Sequence, residues 1–325
     1  MNQSALNWRG LVEEAVRRRK AENLTQAGLA SIAGVSRATV LLFERGETNL
    51  QLGKVFDILG ALGLLEGVGP IDGQDSFVQA AQHRWQDLVS ALPEGDPARL
   101  PLGHVSYDYV IEDVEAGPAG DLLEQLRSVE GHTGWPPFWV PEKEGLRPYT
   151  RGGLVECWLG ARRDRVFADA AHSDFWRVSN EGRAFLRRGY QEDGPDNLQP
   201  GAVFDITLPI WRAAEVILHA AALAHRLAAP DSTALHIRAG FTGLEGRELA
   251  SWAKPLLRGV VEPGRRARAT AATVGVSLTV REALEALEGP LTRFLVPLYE
   301  RFDGYRLTES LVAQELAELL AARRR

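Results

Sequence analysis

Along the first seventy residues, apolar side chains recur at helical spacing in short runs. Gly and Pro gather only where those runs stop, at Gly63, Gly67, Gly69 and Pro70. The pattern predicts a small all-α domain over residues 1–68. Gly67 to Gln74 has little apolar periodicity and reads as a linker. Phe77, Ala81, Trp85, Leu88 and Leu92 then share one helical face, which predicts a connecting helix within residues 69–100. After Pro93 the texture becomes aromatic-rich and is punctuated by Gly and Pro. Period-two segments such as Leu154 to Gly160 and Val203 to Leu208 predict strands. Helices are predicted over Asp121 to Val129, Ile210 to Leu227, Val280 to Phe302 and Thr308 to Ala322, with Pro290 and Pro297 kinking the third. Interleaved strands and helices predict one larger α/β (α+β) domain over residues 101–325, making the chain multi-domain.

Composition narrows the class. With 325 residues, 45% hydrophobic and 25% charged, the chain is an ordinary globular protein of about two domains. The single Cys157 cannot form an intramolecular disulfide, and there is no N-terminal apolar signal segment, so a cytoplasmic location is expected. The most apolar stretch, Ala213 to Ala229, is interrupted by Glu215, His219, His225 and Arg226 and is too polar to span a bilayer, so no membrane partner is expected. The net charge of -6, from 37 basic and 43 acidic residues, excludes a protein that coats nucleic acid over its whole surface. Any DNA contact must be local.

The most informative stretch is Leu24-Thr-Gln-Ala-Gly-Leu-Ala-Ser-Ile-Ala-Gly-Val-Ser-Arg-Ala-Thr-Val-Leu-Leu-Phe-Glu-Arg-Gly46. Thr25 can cap a helix from Gln26 to Ala33 that buries Leu29, Ala30 and Ala33, and Gly34 supplies a turn. Ser36 can cap a second helix with Val40 and Phe43 inward, Arg45 in its last turn and Gly46 as its stop. Two short helices joined by a tight turn make a helix-turn-helix, whose second helix enters the major groove N-terminus first. The stretch from about Val16 to Leu64, including a following helix from Leu52 to Leu62, resembles the Cro/C1-type (XRE) helix-turn-helix family.

That resemblance implies a DNA-binding transcriptional regulator. It implies that Gln26 contacts the backbone or supports a base contact and that Arg37, Ala38 and Thr39 face base edges. Physically, Arg37 can donate bidentately to guanine, the Thr39 methyl can meet thymine, and Ser36 can donate to a phosphate; Arg45 completes the basic side. Arg17, Arg18, Arg19 and Lys20 form either a solvated helix face or a phosphate-contacting run. The sequence departs from the family at Leu41 and Leu42, where polar DNA-facing residues are usual. At least one of them should be exposed, set either against a thymine methyl or sugar or against another protein surface. Residues 1–70 carry eight basic and seven acidic side chains, a near-neutral balance that predicts a weak monomer and hence a homodimer on a palindromic operator.

In the C-terminal half, Gly134-Trp-Pro-Pro-Phe-Trp-Val-Pro141 is a rigid aromatic loop whose Trp135 and Trp139 either wall a ligand pocket or fill the core. Arg212, Glu215 and His219 share one helix face and form either a reader of a polar or anionic small molecule or a satisfied internal network. Arg177, Arg183, Arg187 and Arg188 are interleaved with aromatics and suit an anion, with surface ion pairs as the alternative. His236 and Arg238 point away from Leu235 and Ile237 and read as solvent-facing. The segments Thr133-Gly-Trp-Pro-Pro-Phe-Trp, Phe175-Trp-Arg-Val-Ser, Leu208-Pro-Ile-Trp-Arg and Phe241-Thr-Gly-Leu-Glu-Gly-Arg make this half resemble a C-terminal region of bacterial regulators that carry Schlafen-like AlbA-type heads. The resemblance implies a module for sensing or dimerisation, without a known ligand.

Catalytic signatures are missing: there is no His-Glu-x-x-His, Gly-x-Ser-x-Gly, Walker or Gly-x-Gly-x-x-Gly motif, and no Cys or His pair at zinc spacing. The expected protein is a cytoplasmic, bacterial, non-enzymatic and dimeric regulator. Its partners would be double-stranded DNA, a second copy of itself and a small-molecule effector, with no cofactor, metal or catalytic residue. The dimer contact is expected on the final helix through Leu311, Val312, Leu316, Leu319 and Leu320, unless that stripe packs on its own domain. Two other readings stay open, a helix-turn-helix used for protein docking through Leu41 and Leu42 and a cryptic hydrolase using Glu156, His172 or Glu215.

Overall fold

The computed structural model describes residues 8–21, 24–33, 35–48, 50, 54–55, 58–59, 62, 74–114, 119–151, 153–160, 172–194, 198–254 and 262–322. The chain divides into two compact units, Met1–Pro70 and Ile71–Arg325. The expected turn at Gly34, the stops at Gly63, Gly67, Gly69 and Pro70, and most of the linker before Gln74 lie outside the described residues.

In the first unit, α1 spans Trp8–Ala21, α2 Gln26–Ile32 and α3 Arg37–Glu44. The starts of α2 and α3 each follow from a side-chain cap. Thr25 Oγ1 accepts from the Gly28 amide at 3.0 Å, and Ser36 Oγ accepts from the Thr39 amide at 3.1 Å. At the end of α3, Gly46 takes φ +80°, a conformation open to glycine. Its amide then donates to Phe43 O and the Glu47 amide to Leu42 O, closing both orphan carbonyls. Leu29, Val40, Phe43 and Ile58 are fully buried, and Trp8 packs edge-on to Phe43 while its indole donates to Gly46 O at 2.9 Å. Of the helix expected over Leu52 to Leu62, Lys54, Val55, Ile58 and Leu59 are helical; most of the remainder lies outside the described residues.

The second unit begins with α4, Gln74–Ser90, and continues through β1 (Val105–Ile111), α5 (Ala119–Arg127), β2 (Tyr149–Arg151), β3 (Leu154–Trp158), β4 (Phe175–Ser179), β5 (Arg183–Arg188) and β6 (Val203–Asp205). Then come α6 (Leu208–Arg226), β7 (Ala234–Thr242), β8 (Glu248–Ala250), β9 (Ala271–Thr279), α7 (Val280–Glu285), α8 (Glu288–Tyr299) and α9 (Glu309–Ala322). Among the described residues, seven strands form one sheet in the order β2-β3-β4-β5-β1-β7-β9, and every pairing in it is antiparallel. The parallel, doubly wound form of an α/β domain is therefore excluded. Among the same residues only β6 and β8 pair in parallel, as a separate two-stranded ribbon.

One sheet face buries Tyr107, Tyr109, Val155, Trp176, Leu186, Ile237 and Val276 in a core shared with Ile210, Ala213, Ile217 and Ala221 of α6 and with Phe294, Leu295 and Leu298 of α8. The other face packs Phe175 and Phe185 against Ala81, with Phe77, Trp85 and Trp158 around them. The expected connecting helix is therefore part of the second unit, because its apolar face is consumed by the sheet.

One helical expectation is corrected and one open alternative is decided. Val280 to Phe302 is two helices, because Pro290 has no amide and its ring would collide with the carbonyl of residue 286. Ala286 accordingly leaves the helical region at φ -147°, ψ 42° and Pro290 falls in the first turn of α8, while Pro297 stays inside that helix. The expected dimer stripe on α9 is also spent internally. Leu311, Val312, Leu316 and Leu319 are buried in their own core, and only Leu320 is exposed.

Arg247 is fully buried and fixes four chain segments at once. Its Nε donates to Gly243 O, Nη1 to Asp193 Oδ1 and Val203 O, and Nη2 to Asp193 Oδ2 and Leu102 O, at 2.6 to 3.0 Å. Beside it Gly103 and Gly243 touch backbone to backbone, so that a Cβ on either would collide with the other segment. Arg247→Met is expected to cost about 3–5 kcal/mol in chemical denaturation, because Asp193 would remain buried and unpaired. Gly46→Ala forces an L-residue to φ +80° and is expected to destabilise the first unit by about 1 kcal/mol, read from its melting transition.

Candidate functional site

The solvent face of α3 carries Arg37, Ala38, Leu41 and Leu42, all exposed, followed by exposed Arg45 at its C-cap. Among the described residues, neither the Arg37 nor the Arg45 side chain is held by a hydrogen bond or ion pair. Both leucines at the departure from the family pattern are solvent-facing, 36% and 38% exposed, because Val40 and Phe43 take the inward positions. The base contact expected of Thr39 is corrected. Thr39 is 7% exposed and its hydroxyl is 2.8 Å from Ser36 Oγ, so it serves the helix start and not the groove. Ser36 sits at the N-cap as expected, with its hydroxyl shared between that bond and the Thr39 amide.

Gln26 is half-buried, and its amide donates to Glu44 Oε2 at 2.8 Å. Glu44 also receives the Arg19 guanidinium at 2.5 Å, and Arg19 donates in addition to Leu24 O. Arg19, Gln26 and Glu44 thus fasten α1, α2 and α3 together, and the charge of Arg19 is spent before it can meet a phosphate. Arg17 pairs with Glu14, and Arg18 donates to Leu62 O. Lys20 is exposed.

In the second unit the six residues expected around a ligand do not converge on one place. Trp135 and Arg212 line a cavity of about 60 Å³ together with Tyr107, Arg188, Tyr190, Gln191, Phe204 and Phe241. Trp139, Glu215 and His219 line a second, of about 240 Å³, beyond the aromatic loop. Arg177 lies on the opposite face of the sheet, 5.4 Å over the Phe77 ring of α4, so it belongs to neither. Arg212 and Glu215 pair at 2.7 Å, and Glu215 also accepts from Thr133. Arg188, which the sequence groups with three other arginines among aromatics, is buried against Asp174 at 2.5 Å. Tyr107, Tyr190 and Phe241 had no local signal, since their meeting depends on which strands become neighbours. His236 and Arg238 are half-buried and paired, with Glu112 and Asp108 respectively.

Cys157 is buried, burial pushes its thiol well up, and its sulfur lies 3.4 Å from Leu146 O. Glu156 is buried on the α4 face and taken by Arg84 and Tyr149. His172 packs edge-on to Trp135, and Glu215 is occupied as above.

His219 sits between Tyr109, whose hydroxyl is 3.1 Å from Nδ1, and the Phe138 ring at 4.6 Å. Burial lowers its pKa to about 3, and burial together with Arg187 lowers that of His104 to about 3. Both folded values lie below the ordinary 6.5, so the unfolded chain takes up protons first. Stability is fully present above about pH 6.5 and is lost as the pH falls towards 3. Between pH 7 and pH 5 each histidine should remove about 1–2 kcal/mol, and His219→Gln should flatten this slope in urea titrations at the two pH values.

No curated protein and no solved structure matches the chain. Residues 17–66, which hold α2 and α3, match a family model described as helix-turn-helix; the match is of XRE type and makes this unit similar to the heads of DNA-binding regulators.

Proposed function

We propose that the chain is a sequence-specific transcriptional regulator that reads an operator with α3 and senses an effector with its second unit. The carrying observation is the solvent face of α3, where Arg37 stands exposed and free of partners among the described residues beside Ala38, Leu41 and Leu42. A guanidinium at the start of a helix in the major groove can donate bidentately to guanine, and short apolar side chains can lie on thymine methyls. Arg45 supplies a phosphate contact from the helix end. Because Thr39 is turned inward, base readout falls to Arg37 and Ala38 with the two leucines. With few phosphate contacts per head, two copies reading half-sites about one DNA turn apart are needed for useful affinity. Since the α9 stripe is consumed internally, the surface that joins them lies elsewhere. The cavity lined by Trp135 and Arg212 supports a sensing role, and the chain is assigned no catalytic step.

A second reading rests on Leu41 and Leu42, both exposed, which could dock a partner protein instead of DNA. Gel-shift titration against the upstream region of its own operon separates the two. Operator binding should weaken steeply with salt and drop about 10-fold to 100-fold in Arg37→Ala, whereas Leu41→Ser/Leu42→Ser should cost less. Salt-insensitive binding, or none, would sink the regulator reading.

A further inference from the structure

The cavity between the aromatic loop, the start of α6 and the ends of β1, β5 and β7 has a wall whose charges are oriented. The Trp135 carbonyl accepts from both Arg188 Nη1 and Arg212 Nη1, each at 3.1 Å, so one oxygen holds two guanidiniums side by side. Their counter-ions stand away from the cavity. Asp174 grips Arg188, Glu215 grips Arg212, and neither carboxylate is among the groups lining the space. Like charges at this distance oppose one another, and burial and the nearby Arg188 both lower the pKa of Arg212. Each guanidinium is neutralised by its own carboxylate, and the N–H groups left over on the two can donate to one bridging anion.

Unused donors remain on both arginines that line this space. A guanidinium has five N–H groups. On Arg188 the Nε, both Nη2 donors and one Nη1 donor are engaged by Asp174, Pro136 O and Trp135 O, leaving one. On Arg212 both Nη1 donors and one Nη2 donor are engaged by Thr133, Trp135 O, Glu215 and Gln191, leaving Nε and one Nη2. Tyr107 is 2% exposed and lines the cavity, and among the described residues its hydroxyl has no hydrogen-bond partner. Most of the remaining lining is aromatic or aliphatic, the main exceptions being His172, Gln191 and Glu192. Burial pushes the Glu192 carboxyl up to about 7, which weakens its opposition to an anion near neutral pH.

We propose that this cavity binds a small aromatic carboxylic acid, its carboxylate between Arg188, Arg212 and the Tyr107 hydroxyl and its ring against Trp135, Tyr190 and Phe241. A phosphate ester would bring a second charge that the two arginines, each already paired with its own carboxylate, cannot match. A neutral amide would leave the guanidiniums facing a weaker acceptor. The proposal rests on the effector-sensing reading above, and it names the chemistry of the effector.

Calorimetric titration of the full chain with benzoate, salicylate, phenylacetate and indole-3-acetate, each beside its neutral amide, tests it. At least one acid should bind about tenfold or more tighter than its amide. Tyr107→Phe should weaken that acid about 3-fold to 10-fold with the melting temperature unchanged, since it removes an oxygen that bonds nothing among the described residues. Arg212→Gln should weaken it about 10-fold to 100-fold. Equal affinity for acid and amide, no binding of any acid, or an unaltered affinity in Tyr107→Phe would overturn the proposal. The titration contains no DNA, so its outcome is independent of whether α3 binds an operator.

Discussion

The second unit depends on the burial of one fully satisfied guanidinium. Arg247 joins the segment before β1, the segment after β5, the start of β6 and the segment after β7 through five donors and a single counter-ion, Asp193. A buried charge is tolerated only when every donor is met, and here three backbone carbonyls and a carboxylate meet them. The guanidinium also lies 4.4 Å over the Tyr190 ring, so the residue that locks the strand ends also sets one wall of the cavity that Tyr190 lines.

The same device recurs with different partners. Asp205 is fully buried and caps two chain turns, accepting from the Thr207 and Leu208 amides at the start of α6 and from the Trp252 and Ala253 amides. Glu315 is buried on α9 and receives the Trp211 indole and Lys254. In the first unit Glu44 collects Arg19 and Gln26. The near-neutral charge of that unit conceals a division of labour. Arg19 is consumed by folding, whereas Arg37 and Arg45 remain at the surface, so the local sum of charges says less about DNA than which cations are left unpaired.

Much of the first unit was legible because its signals are local. The caps at Thr25 and Ser36, the stop at Gly46 and the inward Val40 and Phe43 each follow from residues within a turn of one another. Thr39 was misread for a related reason: its hydroxyl competes for the cap beside it, a choice between two local bonds that spacing cannot rank. In the second unit helix existence was legible and helix boundaries less so, as the break before Pro290 shows. The candidate ligand site was half legible. Trp135 and Arg212 reach one cavity, but Arg177 falls on the far face, because a strand alternates sides and the sheet face that meets α6 is decided by the whole sheet.

The sequence by itself determined the helix-turn-helix, the identity of most of its exposed face and the presence of a second, larger domain of mixed structure. Those features rest on contacts between residues a few positions apart, where period and capping chemistry suffice. Tertiary structure alone decided that the sheet is antiparallel, that the leucine stripe of α9 is consumed inside its own domain, and that Tyr107, Arg188, Arg212 and Tyr190 face one cavity. The elements that carry these residues are mostly far apart in the chain. Their meeting depends on strand order and register, which are fixed by the collective burial of both sheet faces and not by any local pattern.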